Sequence, residues 1–164
     1  EMERDGIKEV AEIAFHLNIY PDDFSDVVQS DLITLHTEAY DTYEQPPFPD
    51  GWELYRGEDV AVRLVSYGDN GGNYDLQFFM ENWSENTVSI STETIRINGE
   101  ETDGYLWNTL RSDTCSRSEA FVSIPGIDHL EEIREITLDL LIEHVDIYEV
   151  TDSRTQTVTF YAPN

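Results

Sequence analysis

Carboxylates are the commonest groups in this sequence that could do chemistry. Aspartate and glutamate number 35 against nine lysines and arginines, for a formal charge of −26. Adjacent acids stand at Asp22/Asp23, Glu58/Asp59 and Glu131/Glu132, the residue types of a glycosidase acid–base pair, whose carboxylates must flank a substrate in a cleft. So many pairs in one short chain make no single pair informative. The stretch "GDNGGNYD" gathers Asp69, Asn70, Asn73 and Asp75. It lacks the alternating acids, central glycine and closing glutamate of a calcium-binding helix–loop–helix, so it reads as a glycine-rich hairpin turn. His16, His36, His129 and His144 have no zinc-ligand spacing. His16 and His36 fall opposite the apolar face of their strands and are expected to face solvent. Cys115, between Thr114 and Ser116, is the sole cysteine and is expected to be structural. Nucleophile elbows, phosphate loops and dinucleotide fingerprints do not occur. The expectation is a protein that is not an enzyme and needs no metal or cofactor.

Aromatic side chains are the remaining chemical handle. Trp83 lies in the turn "WSENT", and Tyr105 and Trp107 lie in "GYLWN", just after an Asn-Gly hairpin signal. Exposed tryptophans on the loops of a β-sandwich stack on sugars or anchor a protein partner. For Trp107 the plainer alternative is a ring lying over the sandwich edge. Asn82-Trp83-Ser84 matches the glycosylation sequon but reads as a turn. The strong negative charge excludes nucleic acid and anionic membrane as direct partners, because each is bound by neutralising its own negative groups. The bland consequence of the acidity is solubility; the sharper one is a cationic partner. Apolar runs fall well short of the ~20 residues of a spanning helix, and any export signal or anchor is expected outside this stretch.

The elements that must position these residues are mostly strands. Ile13, Phe15, Leu17 and Ile19 alternate with polar neighbours, as a half-buried strand requires. "DLITLHTEAY" reads as a second strand. "EQPPFPDG", residues 44–51, holds three of the six prolines and reads as a linker, since proline removes ladder donors and stiffens the chain. Beyond it Val60, Val62 and Leu64 mark a strand, and Tyr74, Leu76, Phe78 and Met80 mark its return after the glycine-rich turn. "VSISTETIRI", "SEAFVSIP", "ITLDLLIEHVDIYEV" and "TQTVTFYA" follow, with "IDHLEEI" as a helical turn that Asp128 is placed to cap. About seven short strands separated by turns point to an antiparallel sandwich rather than a barrel.

A phrase near the start returns near the end. "GIKEVAEIAFHLNIY" from Gly6 matches "GIDHLEEIREITLDL" from Gly126. Aligned on Gly-Ile, Val10 meets Leu130, Glu12 meets Glu132 and Ile13 meets Ile133. After one gap, Phe15, Leu17 and Ile19 meet Ile136, Leu138 and Leu140, and "DLITLHT" then follows the pattern of "QTVTFYA". This points to an internal repeat. The chain is expected to hold the C-terminal strands of one domain (residues 1–43), the linker (44–51) and one complete domain (52–164). An isolated hairpin is marginal in water, so Phe15, Leu17, Ile19, Leu32 and Leu35 are expected to need a partner. Self-association through these strands is one route.

"FFMENWSENTVSISTETIRINGEETDG", followed by "SRSEAFVSIPGIDHLEEIREITLDLLI", resembles a family of uncharacterised immunoglobulin-like domains found, often in tandem, in secreted proteins and lipoproteins of Gram-positive gut bacteria. The motifs are Glu81-Asn82 ending a strand, the polar turn Ser84–Thr87, Asn98-Gly99, and the segment Ile127–Ile136 before an alternating strand. The resemblance spans about residues 57–164, and its last third again covers residues 6–37. "RSDTCSRS" stands where the family has a glycine-lysine turn. The resemblance implies an immunoglobulin-like β-sandwich at a bacterial cell surface or outside the cell, and no catalytic residues. Together these readings give a non-catalytic module acting as a spacer or a platform for a protein or glycan partner. The alternative is a carbohydrate-binding module that uses the exposed tryptophans.

Overall fold

The computed structural model describes residues 10–15, 17–19, 28–31, 33–42, 49–69, 74–123, 129–146 and 149–163, apart from the side chains at 18, 19, 28 and 29. It divides into two compact units, Glu1–Phe48 and Pro49–Asn164.

The smaller unit is a hairpin in two registers. Strand β1 (Glu12–Phe15) pairs antiparallel with β4 (Ile33–His36), and β2 (Asn18–Ile19) pairs with β3 (Val28–Gln29). Between the ladders Ser30 bridges, accepting the Leu17 N–H on its hydroxyl and donating its own N–H to the Leu17 carbonyl, both at 2.9 Å. The strand expected from Ile13 to Ile19 is therefore two short pieces. A single 3-10 turn, Tyr40–Thr42, follows β4.

The larger unit is an immunoglobulin-like β-sandwich with nine strands among the described residues: β5 (Trp52–Arg56), β6 (Val60–Asp69), β7 (Tyr74–Asn82), β8 (Thr87–Ile97), β9 (Glu100–Glu101), β10 (Trp107–Leu110), β11 (Thr114–Val122), β12 (Glu135–Asp146) and β13 (Glu149–Tyr161). One antiparallel sheet runs β11-β7-β6-β5. The other runs β10-β8-β12-β13, with β9 on β8. Strands β5, β9 and β10 have no counterpart among those expected from the sequence. The expected strand "ITLDLLIEHVDIYEV" is instead the end-to-end sum of β12 and the start of β13. The helical turn is present as Leu130–Glu132, but His129 occupies its N-cap with no side-chain bond; Asp128 lies outside the described residues.

Period-two burial builds the core. Val60, Val62 and Leu64 of β6 and Tyr74, Leu76, Phe78 and Met80 of β7 face Ile136, Leu138, Leu140 and Ile142 of β12, all almost wholly buried. β8 breaks the period. Its buried residues are Val88 and Ile90, then Ile95 and Ile97, a switch from even to odd positions. The ladder to β12 shifts register at this point, where Leu140 pairs Thr92 and Asp139 pairs Thr94. Glu93 is thus the extra residue of a β-bulge, and the bulge returns the apolar side chains to the inner face. Asn98 and Gly99 both hold positive φ, 53° and 85°. They close a two-residue hairpin in which Ile97 pairs Glu100, as the Asn-Gly signal predicts.

One pole of the sandwich rests on Asn82, buried at the end of β7. Its amide N–H groups reach the carbonyls of Asn86 (2.8 Å), Leu110 (3.2 Å) and Arg111 (2.8 Å). Its side-chain oxygen accepts from the Ser84 backbone N–H at 2.9 Å and from the Ser84 hydroxyl at 2.7 Å. The turn after β7 and the turn after β10 therefore share one side chain. The sequon asparagine is a strut inside the fold. Asn82→Ala strands these carbonyls, and a loss on the order of 2–4 kcal/mol is expected, read as a lower urea midpoint with the cooperative slope retained. An unchanged midpoint would show that water replaces the amide.

Candidate functional site

The most site-like feature of the larger unit is a groove built where β5, β6 and the end of β13 meet the 3-10 turn. Gly51 admits β5 to this corner: a Cβ there would stand 2.6 Å from the Leu64 carbonyl oxygen, so a side chain would push Trp52 away from β6. Trp52 then packs its ring on Phe160 (4.7 Å between centroids), and Tyr67 closes the triangle at 5.7 Å from Phe160 and 6.1 Å from Trp52. In front of this wall is a hollow of about 980 Å³ whose rim includes Tyr161, Arg134 and Glu131. A second hollow, of about 480 Å³, shares Glu131, Arg134 and Tyr161 and adds Asn98, Glu132 and Glu135.

Asn98 fixes the floor of the smaller hollow. Its side-chain oxygen accepts from the N–H of Arg134 (2.8 Å) and of Glu135 (3.2 Å), and its amide donates to the Glu132 carbonyl at 2.8 Å. The residue chosen for a left-handed turn therefore also ties the 3-10 turn to the start of β12. Tyr161, 71% exposed, offers a bare ring face between the hollows. Sequence reasoning missed this groove. Its usable signal was the alternation in "TVTFYA", which puts Phe160 inward and therefore Tyr161 outward.

The aromatics singled out from sequence lie elsewhere. Trp83 is partly exposed, but its indole N–H donates to the Glu58 carbonyl at 2.5 Å, and the Arg56 guanidinium sits 5.2 Å from its ring centre. One face and the polar edge are already engaged, and the ring pins the β5–β6 turn. Tyr105 and Trp107 are well exposed. Trp107 opens β10, an edge strand paired, among the described strands, to β8. In the smaller unit Phe15, Leu17 and Leu35 are exposed. Ile19 lies in β2 with no described side chain, and Leu32 and His16 lie outside the described residues. His36 stacks on Tyr40 at 3.5 Å and lies 3.2 Å from Glu12.

Two half-buried carboxylates sit in networks, and both are tuned away from acid catalysis. Asp59, in the β5–β6 turn, bonds Arg154 of β13 and lies 2.6 Å from His144 Nε2 of β12; the Arg154 guanidinium also lies 5.9 Å from the Tyr55 ring centre. Burial alone would raise the Asp59 pKa, but the Arg154 hydrogen bond and charge, followed by His144, outweigh it and hold the carboxyl below 3.8. This cluster clamps the two sheets together. Asp139 accepts hydrogen bonds from Thr94, from Thr157 at 2.7 Å and from Arg96 at 2.5 Å; these bonds, Thr94 and Thr157 first, hold its pKa at about 2. A general acid at neutral pH needs the opposite shift. Burial, then Glu81, pushes the Cys115 thiol up, away from nucleophilic character. Among the described residues no group of three or more histidines, cysteines or acids is arranged to hold a metal ion.

No family model matches the sequence, and no curated protein matches it. The resemblance to bacterial immunoglobulin-like domains therefore rests on the quoted motifs. Among solved structures the chain is similar to the GAE domain of yeast GGA1, at 15% identity and TM-score 0.43 over 70% of this chain and 100% of that one. It is also similar to the GAE domain of GGA2p from Saccharomyces cerevisiae, at 8% identity and TM-score 0.38 over 71% and 99%. The location expected from the resemblance, extracellular or at a bacterial cell surface, is withdrawn as a correction: the similar solved structures are yeast GAE domains, and no location is carried forward.

The two lowered carboxylates set an acid limit. A group whose pKa is depressed by folding adds stability above its unfolded pKa and loses it as pH falls through the folded value. Unfolding free energy is therefore expected to be flat from pH 7 down to about pH 5 in respect of Asp59 and Asp139, then to fall as pH drops through their lowered folded values, about 2 for Asp139. In the double variant Asp59→Asn, Asp139→Asn the starting stability should be lower and the acid slope shallower in urea melts over that range. An unaltered slope would mean that other carboxylates carry the acid dependence.

Proposed function

We propose that the chain is a non-catalytic protein-binding module whose contact surface is the groove around Tyr161. The observation that carries this reading is the groove itself: an aromatic wall of Trp52 and Tyr67 beside an exposed tyrosine, with carboxylates concentrated at one end. Its larger hollow is of the size that takes a buried side chain or small ligand, and Tyr and Trp are the residues that dominate binding energy at protein interfaces. The rest of the partner's chemistry follows from charge. Glu131, Glu132 and Glu135 line the smaller hollow with a single arginine, on a chain of charge −26. The matching ligand is an extended peptide with an aromatic or apolar anchor for the larger hollow and lysine or arginine next to it for the smaller. Electrostatics of this kind speed the encounter and select the partner more than they add affinity. A built groove favours a platform over an inert spacer.

The carbohydrate reading keeps one specific observation, the exposure of Tyr105 and Trp107 on an edge strand. Selection of a displayed peptide library on the full chain separates the two. Enriched peptides should pair an aromatic residue with basic neighbours, weaken as salt rises, and lose at least tenfold in affinity with Tyr161→Ala, a substitution on an exposed ring that leaves the fold unchanged. If no peptide is enriched, or if binding survives Tyr161→Ala, the groove is not the contact surface. Glycan-array binding that disappears with Trp107→Ala would establish the carbohydrate reading in its place.

A further inference from the structure

The hydrogen-bond register relates the two units residue by residue. In the smaller unit Glu12 pairs His36, Ile13 pairs Leu35, Ala14 pairs Thr34 and Phe15 pairs Ile33. In the sandwich Glu135 pairs Tyr161, Ile136 pairs Phe160, Thr137 pairs Thr159 and Leu138 pairs Val158. The next bond along is also the same. The Thr37 N–H donates to the Ala11 carbonyl at 2.9 Å, and the Ala162 N–H donates to the Arg134 carbonyl at 2.8 Å. Superposing these ladders puts Ile13 on Ile136 and Phe15 on Leu138. That differs from the alignment made on the Gly-Ile pairs, and it needs no gap. Ile7–Ile19 then runs against Leu130–Ile142 without interruption. Glu9, Glu12, Ile13, Leu17 and Ile19 find identical residues, and Ile7, Val10 and Phe15 find apolar ones.

The equivalence says what the hairpin lacks. In the sandwich, β12 has β13 on one edge and β8 on the other, with Ile97 opposite Ile136 and Ile95 opposite Leu138. In the smaller unit β1 pairs β4 alone among the described strands. Ile136, Leu138, Leu140 and Phe160 are at most 5% exposed under the facing sheet, whereas their counterparts Ile13, Phe15, Leu17 and Leu35 are between 39% and 51% exposed. A sheet face of this composition and an open strand edge together make a strand-acceptor surface.

We propose that the β1–β4 hairpin is the closing hairpin of a second immunoglobulin-like sandwich. Its occupant is the front of such a sandwich, equivalent to residues 49–128: a β8-like strand laid antiparallel on β1 and a facing sheet over Phe15 and Leu17. The occupant is fixed by the register, because the same four-pair ladder elsewhere in the chain carries these partners.

The test supplies that front. The full chain is extended by putting a second copy of residues 49–128 ahead of Gly6 in place of residues 1–5, which continues the superposed register. The original sandwich in the same molecule shows that this front is competent to fold. Two cooperative unfolding transitions are expected, with slowed amide exchange at Ile13 and Phe15. The pair Phe15→Asp, Leu17→Asp should remove the added transition and leave the original one in place. A single transition in the extended chain overturns the proposal, and so does an added transition that ignores the two aspartates. A dimer of the unextended chain that Phe15→Asp dissolves would assign the face to a second copy, and would overturn this choice of occupant.

Discussion

A β-sheet with one apolar face has to put that face against something. That requirement decides more about this chain than any individual bond. In the larger unit two sheets meet it for each other, and every strand that alternates in sequence points its apolar residues into the shared layer. Burial of a leucine, isoleucine or phenylalanine side chain contributes about 1.5–3 kcal/mol, so the row from β6, β7, β8 and β12 outweighs any salt bridge at the surface. The smaller unit has the same alternation and the same pairing, yet its face meets water. Among the described residues, what separates the units is a second layer, present in the larger one.

Where the strands cannot keep perfect alternation, the fold spends a residue or a buried polar group to restore it. The bulge at Glu93 re-aims half of β8. Asn82 closes one pole by bonding carbonyls from two turns, and Asn98, at the surface, ties the 3-10 turn to the start of β12. Asp59 with Arg154 and His144 ties the β5–β6 turn to the opposite sheet. Such a buried charged cluster is weak as a source of net stability; its contribution here is to fix the registration of the two sheets. The groove inherits that registration, since Trp52 comes from one sheet and Phe160 and Tyr161 come from the other.

Much of this was legible before any coordinates. The paired runs Val60–Leu64 and Tyr74–Met80, the Asn-Gly hairpin and the all-β class follow from period and turn chemistry alone. Other features were not, for physical reasons. β5 and β10 are edge strands with a ladder on one side, so they need no clean alternation and show none. The parity switch in β8 is invisible in a count of apolar residues, because "VSISTETIRI" keeps its composition while changing face. Trp83 and Trp107 look alike in sequence, each near a turn; a single backbone carbonyl, that of Glu58, makes one a structural pin and leaves the other free of that bond. The groove escaped notice because its wall is Trp52 and Tyr67 backed by Phe160, residues far apart in the chain and joined by sheet packing.

The β1–β4 and β12–β13 ladders bear on an alignment that letters leave open. The Gly-Ile pairs at Gly6 and Gly126 are conspicuous, and anchoring on them forces a gap before the strands. A ladder admits no such freedom: slipping one strand by a single residue would turn every side chain to the opposite face. Under the proposal above, Ile13 opposite Leu35 and Ile136 opposite Phe160 hold the same position in two hairpins. The gapless match that results carries its identities at Glu12, Ile13, Leu17 and Ile19, where strand entry and inward-facing positions coincide. Neighbours such as Ala14 against Thr137 and Asn18 against Leu141 differ freely. The twelve residues of β12 bury their apolar side chains under the facing sheet, whereas Ile13 and Phe15 of the four-residue β1 stay exposed.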